Sequence, residues 1–317
     1  MMPRVQEIVS RFPDLPVIEC ERYGEVFNRN AQNFRLQKQA PALILAKKYG
    51  NLVLPAPAGY GFNEQPSFYF SHMLNCVYDC RYCFLQGMYR SANYVLFVNY
   101  EEFGQALTEA FESIGQPAVF YSGYDCDSLA LEPVSHFGEY YLPLFAQHPE
   151  ATLEIRTKST QIRGLLEMQA IPNVVVAMSF TAHAAAAAWE HKVPSIEKRL
   201  AALRKLQQAG WQVALRFEPL IADAGMVENY QRLFEQVFSV LDCAKIHSVS
   251  TGMFRMPVDY FKNIVRLYPD EALFARDTVV EDGLIAFRSS IEAEQLQTLE
   301  SGLMQFIAAN KYYRCAS

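Results

Sequence analysis

The sequence predicts an α/β protein, a partial (β/α)6 barrel of the TIM type with an extension at each end. From Ser67 onward, short apolar strands rich in β-formers alternate with amphipathic helices, the pattern of parallel βα units. Six such strands suit an incomplete barrel better than a closed eight-stranded one. At 317 residues, 51% hydrophobic and 20% charged, the chain can bury a large core.

Residues 1–64 carry Pro, Gly and Asn punctuation around a short strand expected at Asn51 to Leu54, and read as an N-terminal extension or cap. The barrel is expected over 65–268. Its strands are predicted at Ser67 to Ser71, Ala118 to Tyr121, Thr152 to Arg156, Val174 to Ser179, Gln212 to Phe217 and Ile246 to Thr251. Pro219 is expected to end the fifth of these. Helices are predicted at Glu101 to Ser113, Phe137 to Gln147, Ile196 to Ala209, Val227 to Leu241 and Val258 to Leu267. In SIEKRLAALRKLQQAG, Ser195 caps the start, Ile196, Leu200, Leu203 and Leu206 form the apolar stripe, and Gly210 ends the helix. Lys198, Arg199, Arg204 and Lys205 are assigned to its solvated outer face. Ala184 to Ala188 reads as a short helix over a strand end. A closing segment, 269–317, is expected to contain a hairpin at Asp282-Gly283 and a final helix at Ala293 to Ala309 that covers the open side.

The first residues carry charge and proline where a signal peptide needs an apolar run, and no stretch approaches the ~18 consecutive apolar residues of a spanning helix. A cytoplasmic protein with no membrane partner is therefore expected. The net charge of -6 argues against nucleic-acid binding through a broad positive surface, though not against a local basic groove. Seven cysteines without an export signal point to metal ligation or catalysis rather than to disulfides.

The main chemical signal is NCVYDCRYCFLQ, in which Cys76, Cys80 and Cys83 form CxxxCxxC directly after an aromatic strand. One tight loop with this spacing aims three thiolates at one centre. Three ligands on a [4Fe–4S] cluster leave one iron open. That iron can chelate the amino and carboxylate groups of S-adenosylmethionine (SAM) and deliver the electron that cleaves its sulfonium bond, generating a hydrogen-abstracting carbon radical. A structural zinc site would need a fourth ligand, for which Cys126 is the nearest cysteine and His72 and His136 are less natural candidates. Position supports the cluster, because the motif follows the first strand of a βα array, at the end where barrel active sites are assembled.

The segments YCFLQ, Asn93 to Asn99, LEIRTKST, VVVAMSF and FRMP, spread over most of the chain from about Asn33, resemble the spore photoproduct lyase family of radical SAM proteins. The resemblance implies that Cys76, Cys80 and Cys83 hold the cluster, that SAM completes it, and that the substrate is a thymine lesion in damaged DNA. It places Lys158 against the SAM carboxylate, Ser179 as a hydrogen-bonding partner of SAM, and Ser122 and Gly123 beside its amino end. A reducing partner such as flavodoxin or ferredoxin is also implied.

Two departures bear on catalysis. The family's hydrogen-donating cysteine falls on Tyr124 when Asp127 to Leu131 sets the register, with Cys126 two residues late. The family's aromatic pair appears as Tyr82 and Phe84, so one phenol is absent. Tyr124, Tyr82 and Cys126 are therefore the candidate hydrogen relay, and a radical SAM enzyme with a different substrate stays open beside the lyase reading. A zinc-stabilised nucleic-acid-binding protein is the alternative from another class; a flavin photolyase lacks support, since no GxGxxG follows a strand. Cys20, Cys243 and Cys315 are scattered, with Cys243 read as core, and Arg216 and Glu218 are read as lining a pocket or pairing with each other.

Overall fold

The computed structural model describes residues 2–57, 65–222, 225–288 and 292–315. Among these residues the main sheet has eight strands: β1 Leu54–Pro55, β2 Ser67–Tyr69, β3 Ala118–Tyr121, β4 Ala151–Thr157, β5 Val174–Ser179, β6 Gln212–Leu220, β7 Ile246–Met253 and β8 Tyr312–Arg314. Their spatial order follows chain order from β1 to β8. Every neighbouring pair from β2 to β8 is parallel, and β1 runs antiparallel on the edge. Crossovers of one hand, each carrying a helix over the same face, produce this order without reversal and curl the sheet into an open barrel.

The six predicted strands are β2 to β7. They are legible because burial on both faces requires nearly continuous apolar runs, as in Val174–Ser179, which is buried throughout. β2 ends at Tyr69, two residues earlier than expected. β6 passes through Pro219 to Leu220, contrary to the expectation that proline ends it. The β6–β7 register shifts between Phe217 and Leu220, and a proline, which has no N–H to place in the ladder, is tolerated at such an irregularity. Near the N-terminus the ladder falls on Leu54–Pro55 rather than on Asn51 to Leu54.

Residues 58–64, where the sequence puts the end of the N-terminal extension, lie outside the described residues. Before them, Leu43–Ala46 forms a side sheet with Tyr94–Phe97 and Met73–Leu74. In the closing segment, Asp282 and Gly283, both at positive φ, make the two-residue turn of a hairpin, Thr278–Glu281 with Leu284–Phe287. The last helix stops at Leu303, earlier than expected, and packs on the outer helix Met226–Val240. The strand that follows, β8, extends the sheet at its open edge. No helix among the described residues is long and apolar enough to cross a membrane.

Helix Ile196–Gln208 has the expected ends: Ser195 accepts the Lys198 amide and Gly210 has φ +92°. Arg199, however, is 1% exposed and is not on the outer face. It lies next to Leu200 in the stripe that covers the sheet, and its guanidinium donates to the Ser179 carbonyl at 2.8 Å and to Glu190 at 2.6 Å. A buried carboxylate earlier in the same crossover, Glu190, determines its direction, which periodicity within the helix does not report.

Side chains alternate along the strands. Val174, Val176 and Met178 join the core beneath the helices, while Val175, Ala177 and Ala214 form a small cluster on the other face. On that face lies a chain of charges: Glu154 accepts from Arg216 at 2.7 Å and from Arg156 at 2.9 Å, and Arg156 reaches Glu218 at 3.1 Å. Arg216 and Glu218 are therefore not partners of each other. Burial opposes the Glu154 charge, but the two guanidinium groups outweigh it and lower its pKa from 4.5 to about 2. A carboxylate depressed on folding stabilises the native state above its unfolded pKa. That contribution is expected to fall away as pH drops from about 5 toward 2. Acid titration followed by tryptophan fluorescence checks this: Glu154→Gln should flatten the slope in that window, and an unchanged slope would contradict it.

Candidate active site

The carboxyl ends of successive parallel strands open into one cavity of ≈ 270 Å³. Its walls are the loop after β2, with Cys76, Cys80, Tyr82 and Cys83; the turn after β3, with Gly123, Tyr124, Cys126 and Asp127; and the ends of β4 and β5, with Lys158 and Ser179. Glu218, Gly252 and Arg255 line the far side, together with Cys315, a cysteine that sequence spacing left apart. Of the candidate cluster, SAM and relay residues, Ser122 alone does not line the cavity, and Arg216, unlike Glu218, does not line it either. Ser122 is fully buried, its hydroxyl within 2.9 Å of Ser128 Oγ, and it supports Gly123 from behind.

The thiol loop is built by short local devices. Asn75 takes a left-handed φ of 72°, which asparagine tolerates better than most residues, and its side chain accepts the Cys76 amide while donating to the Ser91 and Asn93 carbonyls. Asp79–Cys80 pairs antiparallel with Glu190–His191. Cys83 closes a turn onto the Cys80 carbonyl, and helix Leu85–Met88 follows. Three different conformations thus present three thiols to one space.

Glu190 is the residue that sequence reasoning missed. Its carboxylate, 1% exposed, accepts from Tyr82, from Thr181 at 2.7 Å and from Arg199 at 2.6 Å, and lies 3.8 Å from Lys158. Burial opposes its charge, yet Lys158 and Arg199 prevail and its pKa is lowered. No motif marks it, because its partners come from three separate stretches of chain. Asp127 plays a similar part, accepting from Thr157 Oγ1 and the Lys158 amide, each at 2.6 Å, and so fixing the base of Lys158.

At Gly123 a Cβ would stand 2.8 Å from both the Arg156 carbonyl and Ser128 Oγ, so only glycine lets the turn pass this close. The Tyr124 ring packs on Tyr69 with centroids 4.6 Å apart and on Phe84 at 5.9 Å. Cys126 is buried and its Sγ donates to the Ser122 carbonyl at 3.6 Å.

Burial pushes the Cys76, Cys80 and Cys83 thiols up, so the free side chains are protonated; Lys158 pulls Cys80 and Cys83 back. A metal group would be bound with release of their protons. Among the described residues no three His, Cys, Asp or Glu side chains converge closely enough for a single ion. A tetrahedral zinc needs its sulfurs about 3.8 Å apart, whereas a cluster takes one thiolate on each of three irons and suits three thiols that share a cavity without converging.

A sequentially ordered, open parallel barrel with a three-thiol loop after its first parallel strand has the architecture of a radical SAM enzyme. The family model for spore photoproduct lyase matches residues 64–272. Spore photoproduct lyase of Bacillus subtilis (strain 168) is 24% identical over 177 residues, 55% of this chain and 52% of that protein, so the match spans about half the relative's length. Among solved structures, a cysteine-to-serine mutant of spore photoproduct lyase superposes with a TM-score of 0.84 at 17% identity, covering 98% of this chain and 95% of that one. Spore photoproduct lyase complexed with dinucleoside spore photoproduct gives 0.82 at 17%, with coverage of 98% and 95%. A double mutant with bound AdoMet and the same dinucleoside gives 0.83 at 17%, with 98% and 94% covered. The chain belongs to the spore photoproduct lyase family of radical SAM enzymes.

Proposed function

We propose that this protein is a radical SAM lyase that reverses a pyrimidine photoproduct in DNA. The observation that carries the proposal is the gathering of Cys76, Cys80, Cys83, Gly123, Lys158 and Ser179 on one cavity at consecutive strand ends. The three cysteines would hold a [4Fe–4S] cluster, and Lys158, Gly123 and Ser179 would receive the carboxylate, amino and hydroxyl groups of SAM. When bound, cluster and cofactor supply reductive cleavage of the sulfonium bond and abstraction of a hydrogen atom from the substrate.

The protein's own tasks are positioning and hydrogen return. Glu190 and Asp127 fix Lys158 from two sides, so its ammonium needs little reorganisation to meet a carboxylate. Cys126 faces the cavity and would give its S–H hydrogen to the substrate radical, forming a C–H bond and leaving a sulfur radical. A phenolic hydrogen from Tyr124, which lines the same cavity, would then restore the S–H bond, breaking the O–H bond and leaving a phenoxyl radical on Tyr124. Tyr82 is less suited to this step because its hydroxyl is committed to Glu190. A damaged-DNA substrate and a one-electron donor of the flavodoxin or ferredoxin kind are the partners this reading requires.

Anaerobic binding and turnover with irradiated and unirradiated oligonucleotides test the substrate. Preference for the lesion is expected, with affinity falling as salt rises; equal binding and no conversion would leave radical chemistry on a different substrate. Cys126→Ala should lower repair at least tenfold while SAM cleavage persists. Full repair in Cys126→Ala with loss in Tyr124→Phe would transfer the donor role to the phenol.

A further inference from the structure

Behind the thiol loop, outside the cavity, lies a cation that the reading above does not use. Lys38 follows the short helix Phe34–Gln37, in a part of the chain that precedes the segment matched by the family model. Its side chain is 8% exposed, its ammonium lies 5.5 Å from the Phe34 ring centroid, and its own carbonyl accepts from Lys192 Nζ at 3.3 Å. Backbone and side chain are thus both fixed.

A buried ammonium is unfavourable unless anions and acceptors surround it. Lys38 Nζ meets one carboxylate oxygen, Asp79 Oδ1 at 3.4 Å, and has no hydrogen-bond acceptor among the described residues. That same oxygen is held more closely by Arg81, at 2.6 Å. Arg81 also lies 3.5 Å from Glu271 and 3.9 Å from the Tyr268 ring. Asp79 sits within the thiol loop, directly before Cys80. Through Asp79 the Lys38 ammonium is held against the stretch of loop that carries Cys80. Two cations, Lys38 and Arg81, therefore share one carboxylate oxygen beside the place where negative charge collects once thiolates and an iron–sulfur group are present.

We propose that Lys38 sets the readiness of the cluster to accept an electron, its buried ammonium stabilising the reduced state from behind the loop. The proposal rests on the cluster assignment made above. Lys38 is a positioning and electrostatic residue and touches no substrate. Reduction adds one electron to the cluster and changes no bond to Lys38. The electron comes from the same external one-electron donor that the radical chemistry needs.

The test is a redox titration, followed by electron paramagnetic resonance, of the anaerobically reconstituted full chain and its Lys38→Met, Lys38→Arg and Asp79→Asn variants. Lys38→Met should shift the equilibrium between reduced and oxidised cluster at least tenfold toward the oxidised form, equivalent to 59 mV for a one-electron couple. Lys38→Arg should stay near wild type. Asp79→Asn, which removes an anion instead, should move the potential the opposite way. A purely mechanical role predicts shifts of one sign for loss of either partner. Such a result, or an unchanged potential in Lys38→Met with full iron content, would overturn the proposal. If Lys38→Met cannot be loaded, Asp79→Asn still decides, because a fall or no change there contradicts it. Absence of any cluster in the wild type would overturn the cluster assignment itself.

Discussion

Replacing Glu190 by alanine is expected to cost about 3–5 kcal/mol of folding stability, the range for removing one partner of a buried ion pair. Arg199 would be left 1% exposed with its charge uncompensated, and Tyr82 and Thr181 would each lose an acceptor. The consequence reaches the site, because Glu190 pairs through its backbone with Cys80 and through its side chain with Lys158. Denaturant unfolding should show the loss, and Glu190→Gln should fall between the two, keeping hydrogen-bond acceptance without the charge. A loss below about 1 kcal/mol for alanine, the worth of an exposed pair, would mean that the carboxylate is not the keystone described here.

Gly87→Ala is expected to be comparably damaging for a steric reason. A Cβ at Gly87 would stand 2.1 Å from the Tyr260 carbonyl oxygen, with the Tyr260 C and Cα at 2.7 and 2.8 Å. All three are backbone atoms, so no side-chain rotation relieves the clash, and helices Leu85–Met88 and Val258–Leu267 must part. Asn263, which donates to the Gly87 carbonyl at 2.9 Å, would lose its partner as well. Overpacking of this kind costs about 1–3 kcal/mol or more. Since Leu85–Met88 begins two residues after Cys83, iron uptake on reconstitution should also fall. Wild-type stability and iron content in Gly87→Ala would show that the two helices separate at no cost.

The thiol motif was legible because three thiols carried on one loop are a local feature, written in nearly consecutive residues. β2 to β7 were legible for a related reason: double burial leaves no room for polar residues except where they pair, as Glu154, Arg156 and Arg216 do. β8 was not, since Tyr312–Arg314 is three residues long and owes its place to the edge offered by β7. Lys158 and Ser179 could be placed through strand ends and resemblance. Glu190, Asp127, Lys38 and Cys315 could not, because each acquires its surroundings from distant segments. Arg199 shows the limit of helical periodicity, which locates a stripe but not what the neighbouring strand end presents to its margin.

The most direct test is anaerobic reconstitution of the wild type and Cys76→Ala, with iron and sulfide analysis and an assay for reductive cleavage of SAM. The expected result is about four irons per chain in the wild type, with SAM cleavage lost in the variant. Zinc in place of iron, or a cluster that never cleaves SAM, would contradict the radical mechanism.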